Sequence, residues 1–175
     1  LKYLHFFLTP FDENIYYGED LLFIYQILKH IHRVCYIPDK LYHYIFYGKS
    51  SSHSEFSERQ YTGILVYKFL HEDLRQKHPE LLSELKRRIL CMNIIFAREV
   101  INQKKNKRYP TYLYLKKFQK NIRSFLSKDV FDLAIPKRTF AKIILLYISA
   151  EIFWSITVIY KKLKRMRDQC RRICS

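Results

Sequence analysis

Glu19 and Asp20 are the residues best placed to do chemistry: adjacent carboxylates that follow Gly18 directly and stand at the head of an apolar helical stripe. A turn that runs into a helix holds such side chains at the edge of a core, where substrate and solvent both reach them. A carboxylate there can take the proton from a sugar hydroxyl as that hydroxyl attacks an electrophile. The same pair also suits ordinary capping, because the helix dipole favours negative charge in the first turn. Other chemistry is poorly represented. Cys170 and Cys174 lie four apart without a second ligand pair, which is not a zinc spacing. His30 and His32 lie two apart on an expected helix and face different ways. The chain has neither Gly-x-Ser-x-Gly, nor a phosphate-cradling glycine loop, nor His-Glu-x-x-His.

The elements that must position the acidic pair follow from periodicity. Leu21, Leu22, Tyr25, Leu28 and Ile31 form a helical stripe within Asp12–His32. Val34–Ile37 reads as a short buried strand stopped by Pro38-Asp39, and Leu41–Tyr47 as a second, aromatic strand. A polar loop, residues 48–54, closes this part. From Glu55 onward the pattern is helical. Ser57 is the expected cap of a helix to about Lys77, Pro79 opens one over Glu80–Gln103, and Pro110 opens another to about Leu126. A short turn over Asp129–Ile135 leads to a last helix from Pro136 to about Asp168.

Taken together, Gly18-Glu19-Asp20-Leu21-Leu22-Phe23, a helix, Tyr36-Ile37-Pro38-Asp39-Lys40-Leu41-Tyr42-His43-Tyr44 and a serine-rich loop resemble the C-terminal half of a bacterial family-2 glycosyltransferase. The resemblance covers about residues 11–54. It implies an α/β remnant, the C-terminal part of a GT-A nucleotide-sugar transferase fold, in residues 1–54. A mainly helical, basic region would follow in 55–175. It further implies transfer of a sugar from a nucleotide-sugar to a glycan or lipid-linked acceptor in surface polysaccharide synthesis. Asp20 would be the base that activates the acceptor hydroxyl, with Glu19 orienting it. His43, Lys49, Ser51 and His53 would contact substrate, and either histidine would be an auxiliary to the metal or diphosphate. The family's divalent metal, Mn or Mg, neutralises the leaving diphosphate. Its Asp-x-Asp ligand motif is absent, since Asp12, Asp20, Asp39, Asp73, Asp129, Asp132 and Asp168 never stand two apart. The Gln-x-x-Arg-Trp signature of processive members is absent too. A chain opening at Leu1 inside an apolar run therefore reads as a fragment without its nucleotide-binding half. The expectation is an inactive isolated chain that binds no metal itself.

Composition bounds the alternatives. Of 175 residues, 49% are hydrophobic and 17% aromatic, too rich in core formers for disorder. Three glycines argue against a turn-dense barrel or sandwich, and four scattered cysteines against a disulfide scaffold. Ala is rare while Lys, Ile, Tyr, Phe and Asn are frequent, a bias that AT-rich coding alone would produce. The charge is uneven: residues 1–60 carry 6 Lys/Arg against 7 Asp/Glu, and the remaining residues hold the whole excess behind the net +16. A basic half attracts an acidic leaflet, nucleic acid or a phosphorylated polymer. Ile143–Tyr160, followed by Lys161-Lys162-Leu163-Lys164-Arg165-Met166-Arg167, sits at the lower edge of a membrane span. With Glu151 in its middle, burial in a bundle or contact with the interface is favoured over spanning. Cytoplasmic residence on the inner face of the membrane is the expectation, without nucleic acid. The alternative is a non-catalytic basic helical scaffold, or a membrane- or nucleic-acid-binding module.

Overall fold

The computed structural model describes residues 13–41, 43, 45, 56–103 and 108–173. Among them are six α-helices: α1 (Glu19–Leu28), α2 (Glu58–Leu74), α3 (Leu82–Asn102), α4 (Arg108–Phe125), α5 (Lys137–Ile148) and α6 (Ala150–Ile173). Short 3-10 turns occupy Pro79–Leu81 and Lys128–Asp132. The chain divides into two compact units, Leu1–Val66 and Tyr67–Ser175, the division falling within α2.

In the first unit, α1 starts at Gly18 and ends when Lys29 and His30 donate to the carbonyls of Tyr25 and Ile27. It is shorter than the Asp12–His32 expected, and it buries no residue fully. The helix after it begins as its sequence suggests. Gln60, in the first turn of α2, reaches back so that the Ser57 N–H donates to Gln60 Oε1 at 3.1 Å, while the Gln60 N–H donates to the Ser57 carbonyl at 3.1 Å.

The α/β expectation for residues 1–54 fails here, because no strand forms among the described residues. Val34–Ile37, expected as a buried strand, is open to solvent: Val34 is 75% exposed, Tyr36 85% and Ile37 56%. The cause lies in what holds a strand. Val, Tyr and Ile favour strands because they pack on a pleated surface and because a neighbour completes their backbone hydrogen bonds. No described segment supplies that ladder, so β-prone residues alone leave irregular chain. Of the second expected strand, Leu41, His43 and Ile45 are described, and they too lie outside any strand.

The second unit is a helical bundle. α3, α4, α5 and α6 all pack on one another. Its centre is dry and aliphatic: Ile89 and Leu90 of α3, Leu115 and Phe118 of α4, Ile143 and Leu146 of α5 are 0% exposed. The buried amides of Asn93 and Asn121 interrupt this core and are satisfied in series. Lys68 Nζ donates to Asn121 Oδ1, Asn121 Nδ2 to Asn93 Oδ1 at 3.0 Å, and Asn93 Nδ2 to the Ile89 carbonyl at 2.7 Å.

The single last helix expected from Pro136 is two helices, broken at Ser149, whose backbone is extended (φ −152°, ψ 131°). Each side of the break is held. Ser149 Oγ accepts the Ile152 N–H at 3.2 Å as the cap of α6. Arg123 donates to the Tyr147 and Ile148 carbonyls at 3.0 and 3.2 Å, and Gln119 to Tyr147 at 3.3 Å, closing the end of α5. Glu151 then lies in the first turn of α6, where the Tyr112 hydroxyl donates to it and Lys116 Nζ pairs with it at 3.0 Å. The Ser149 hydroxyl also donates to Glu151 Oε2 at 2.7 Å, and this bond first, then that from Tyr112, holds the carboxyl well below the usual range. Among the described residues no helix is long and apolar enough to cross a membrane.

Candidate functional site

The residues around Gly18 form a small, defined structure at the head of α1. Gly18 has φ +87°, a left-handed backbone that only glycine adopts readily, and this angle turns the chain into the helix. A Cβ at Gly18 would meet Val66 at 3.5 Å, an ordinary contact, so the backbone angle and not space selects glycine. The Gly18 carbonyl then accepts the Leu22 N–H at 2.9 Å.

The approach to this turn is pinned by Thr62 of α2. Its Oγ1 accepts the N–H groups of Tyr16 and Tyr17 at 3.2 and 3.0 Å and donates to the Arg59 carbonyl at 2.6 Å. The Arg59 guanidinium lies 4.3 Å from the centre of the Tyr16 ring, a cation–π contact that covers the same turn. Sequence reasoning missed Thr62. Its signal is weak, one β-branched hydroxyl near the start of a capped helix.

Glu19 and Asp20 occupy the first turn of α1, Glu19 half-buried and Asp20 exposed. The Leu21 N–H donates to Asp20 Oδ1 at 2.7 Å, which orients the carboxylate at the helix start. Gly18, Glu19 and Asp20 are thus brought together, on a turn held by Thr62 and open to solvent. His43 is exposed, outside any helix, and no hydrogen bond or ion pair among the described residues joins it to the acidic pair. Lys49, Ser51 and His53 lie outside the described residues. The divalent metal implied by the resemblance finds no ligand set here. Among the described residues no three His, Cys, Asp or Glu side chains gather closely enough to hold an ion. What this site can do by itself is accept a proton and present an anion at a helix start.

A second feature lies within the second unit. Along α6, Ile152, Ile156, Ile159, Leu163 and Met166 follow at steps of four and three and make one narrow apolar stripe. They are between 47% and 60% exposed. Lys162 and Arg167 border the stripe and Lys161, Lys164 and Arg165 fall on the other faces, by their helical positions. No family model, curated protein or solved structure matches the chain.

Proposed function

We propose that this chain is the acceptor-side part of a glycosyltransferase that moves a sugar from a nucleotide-sugar to a glycan or lipid-linked acceptor in bacterial surface polysaccharide synthesis. The observation that carries the reading is the turn at Gly18: a left-handed glycine, then two carboxylates in the first helical turn, on a loop fastened by Thr62. In transfer, the Asp20 carboxylate accepts the proton of the acceptor hydroxyl as the hydroxyl oxygen attacks the anomeric carbon. Glu19, next to it and less exposed, orients the acceptor. No step is assigned to the divalent metal, since the described residues offer it no ligand set. Donor binding and neutralisation of the departing diphosphate require residues other than these, so the isolated chain does not turn over.

The exposed stripe of α6 supports a second part of the reading, docking on the inner face of an anionic membrane. An apolar stripe bordered by cations is the pattern of a helix lying in the interface. Each Lys or Arg near an anionic leaflet contributes about 1 kcal/mol, so several give reversible docking. The same cations oppose self-pairing of two α6 stripes, because Lys162 and Arg167 on the two borders would meet cations of the second copy.

Two experiments test the two parts. Incubation of the purified chain with nucleotide-sugars and manganese is expected to give no transfer, and efficient turnover overturns the division of labour. Sedimentation with vesicles is expected to show binding that grows with anionic lipid and weakens with salt, and that falls when Ile156 and Leu163 become serine. Binding indifferent to lipid charge removes the membrane part.

A further inference from the structure

α6 is held by the bundle over only part of its length. Ala150 and Phe153 are 0% and 1% exposed, and Thr157, Val158 and Lys161 are still partly buried. The helix then runs on to Ile173. From Lys162 to Cys170 every residue but Asp168 is exposed, and Leu163 and Met166 carry the apolar stripe at 59% and 60% exposure. A helical stretch this short without a packed face is marginal in water. The packed half supplies its nucleus, so the distal half opens from its far end and not as a block.

Charge makes that half weaker still. Lys161, Lys162, Lys164, Arg165 and Arg167 share the stretch with one carboxylate, Asp168. Lys161–Lys164, Lys161–Arg165, Lys162–Arg165 and Lys164–Arg167 are like-charge pairs at i, i+3 or i, i+4, neighbours on a helix surface, and each opposes the helix. Asp168 offsets them in part, with a carboxylate oxygen 3.8 Å from Arg167 Nε, but both side chains are open to water, where such a pair contributes little.

Two deficits thus coincide in one segment: an apolar stripe without cover and cations that repel. A second copy of α6 would cover the stripe and worsen the repulsion. A soluble polyanion would quiet the repulsion and leave the stripe wet. An anionic bilayer answers both, with headgroups beside the cations and the acyl boundary beneath Ile159, Leu163 and Met166. We propose that the distal half of α6 is a contact-fixed element: loosely held in water, and set as a helix when the chain docks on an anionic bilayer. This rests on the docking reading above and adds a conformational change to it. The packed half stays as it is, so the bundle docks without rearranging its core.

The experiment measures backbone amide exchange across α6 of the whole chain, alongside vesicle sedimentation of the same samples. The probes are phosphatidylcholine vesicles with and without phosphatidylglycerol, and duplex DNA as a soluble polyanion. In buffer, amides of Lys164–Cys170 should exchange within about tenfold of the unstructured rate, while those of Phe153–Val158 are far slower. Vesicles containing phosphatidylglycerol should slow the distal amides by at least about tenfold, and pure phosphatidylcholine or DNA by less than about twofold. Lys164→Gln removes two of the like-charge pairs at an exposed position. It should slow distal exchange in buffer by about two- to fivefold yet weaken vesicle binding by about fivefold, opposite signs in the two media. Distal amides as slow in buffer as those of Phe153–Val158 overturn the proposal. So does slowing that grows with protein concentration without lipid, which assigns the stripe to a second copy, or slowing by DNA equal to that by the anionic vesicles. Vesicle binding with unchanged distal exchange overturns the conformational change and leaves docking standing, whereas no binding to anionic vesicles removes docking and this inference with it.

Discussion

The two ends of the chain solve opposite problems. Residues 13–45, where they are described, bury no side chain fully, while the bundle of α3 to α6 holds six or more side chains at essentially zero exposure. Yet the residues with the clearest chemical pattern, Gly18, Glu19 and Asp20, belong to the thinly packed region. Its shape rests on local devices: one glycine angle, one threonine hydroxyl, one glutamine reaching back to the Ser57 N–H. The bundle rests on volume and on buried amides paired in series. Substitutions should therefore act on stability through packing in one region and through single backbone contacts in the other.

The largest effect expected is Phe118→Ala, which empties a fully buried site and should cost about 3–5 kcal/mol in urea denaturation. Tyr36→Ala, at an equally large but exposed aromatic residue, should stay within about 0.5 kcal/mol. Equal losses would erase the contrast. Gly18→Ala should cost about 1–2 kcal/mol for its left-handed backbone. That loss would appear in local hydrogen exchange of α1, and an unchanged exchange rate would mean the turn is not fixed by glycine. Ser149→Ala should remove about 1 kcal/mol through the lost cap of α6, read as a shift in the urea midpoint with an unchanged slope.

The smallest effect is on pH dependence. Hydrogen bonds from Arg87 first, and from Arg88, bring the Glu84 carboxyl down to about 2. A depressed acid contributes stability that is fully present above its ordinary value and is lost as pH falls through the folded one. The wild-type chain should therefore lose a little stability between about pH 4.5 and pH 2 that Glu84→Gln does not. Because Glu84 lies on the surface, the difference should be small and should shrink in salt. A difference that instead grows with salt contradicts the assignment.

Much of the bundle was legible. Pro79, Pro110 and Pro136 each sit at the start of the helical segment they announced, and apolar spacing placed α3 and α4 within a few residues. The break at Ser149 was not, because it depends on Arg123 and Gln119 arriving from another helix to take the last carbonyls of α5. Local sequence holds no record of that meeting. The strand at Val34–Ile37 failed for a related reason: β-propensity describes a residue's fit to neighbours, and the neighbours decide. At the candidate site, the glycine turn and acidic pair were readable from type and order. Thr62 was not, since a hydroxyl that accepts two backbone N–H groups some 45 residues away leaves no pattern in the chain.

The central claim is that Asp20 is the base, and one paired measurement tests it most directly. Sugar transfer and urea stability are compared for wild type and Asp20→Asn in the whole polypeptide that the gene encodes, with Glu19→Gln alongside. The expected result is a fall in transfer of about 10²- to 10⁴-fold for Asp20→Asn, the usual contribution of a general base, with stability within about 0.5 kcal/mol. Glu19→Gln should lose less. Transfer at the wild-type rate by a folded Asp20→Asn protein would contradict the claim and leave the acidic pair as nothing more than the cap of α1.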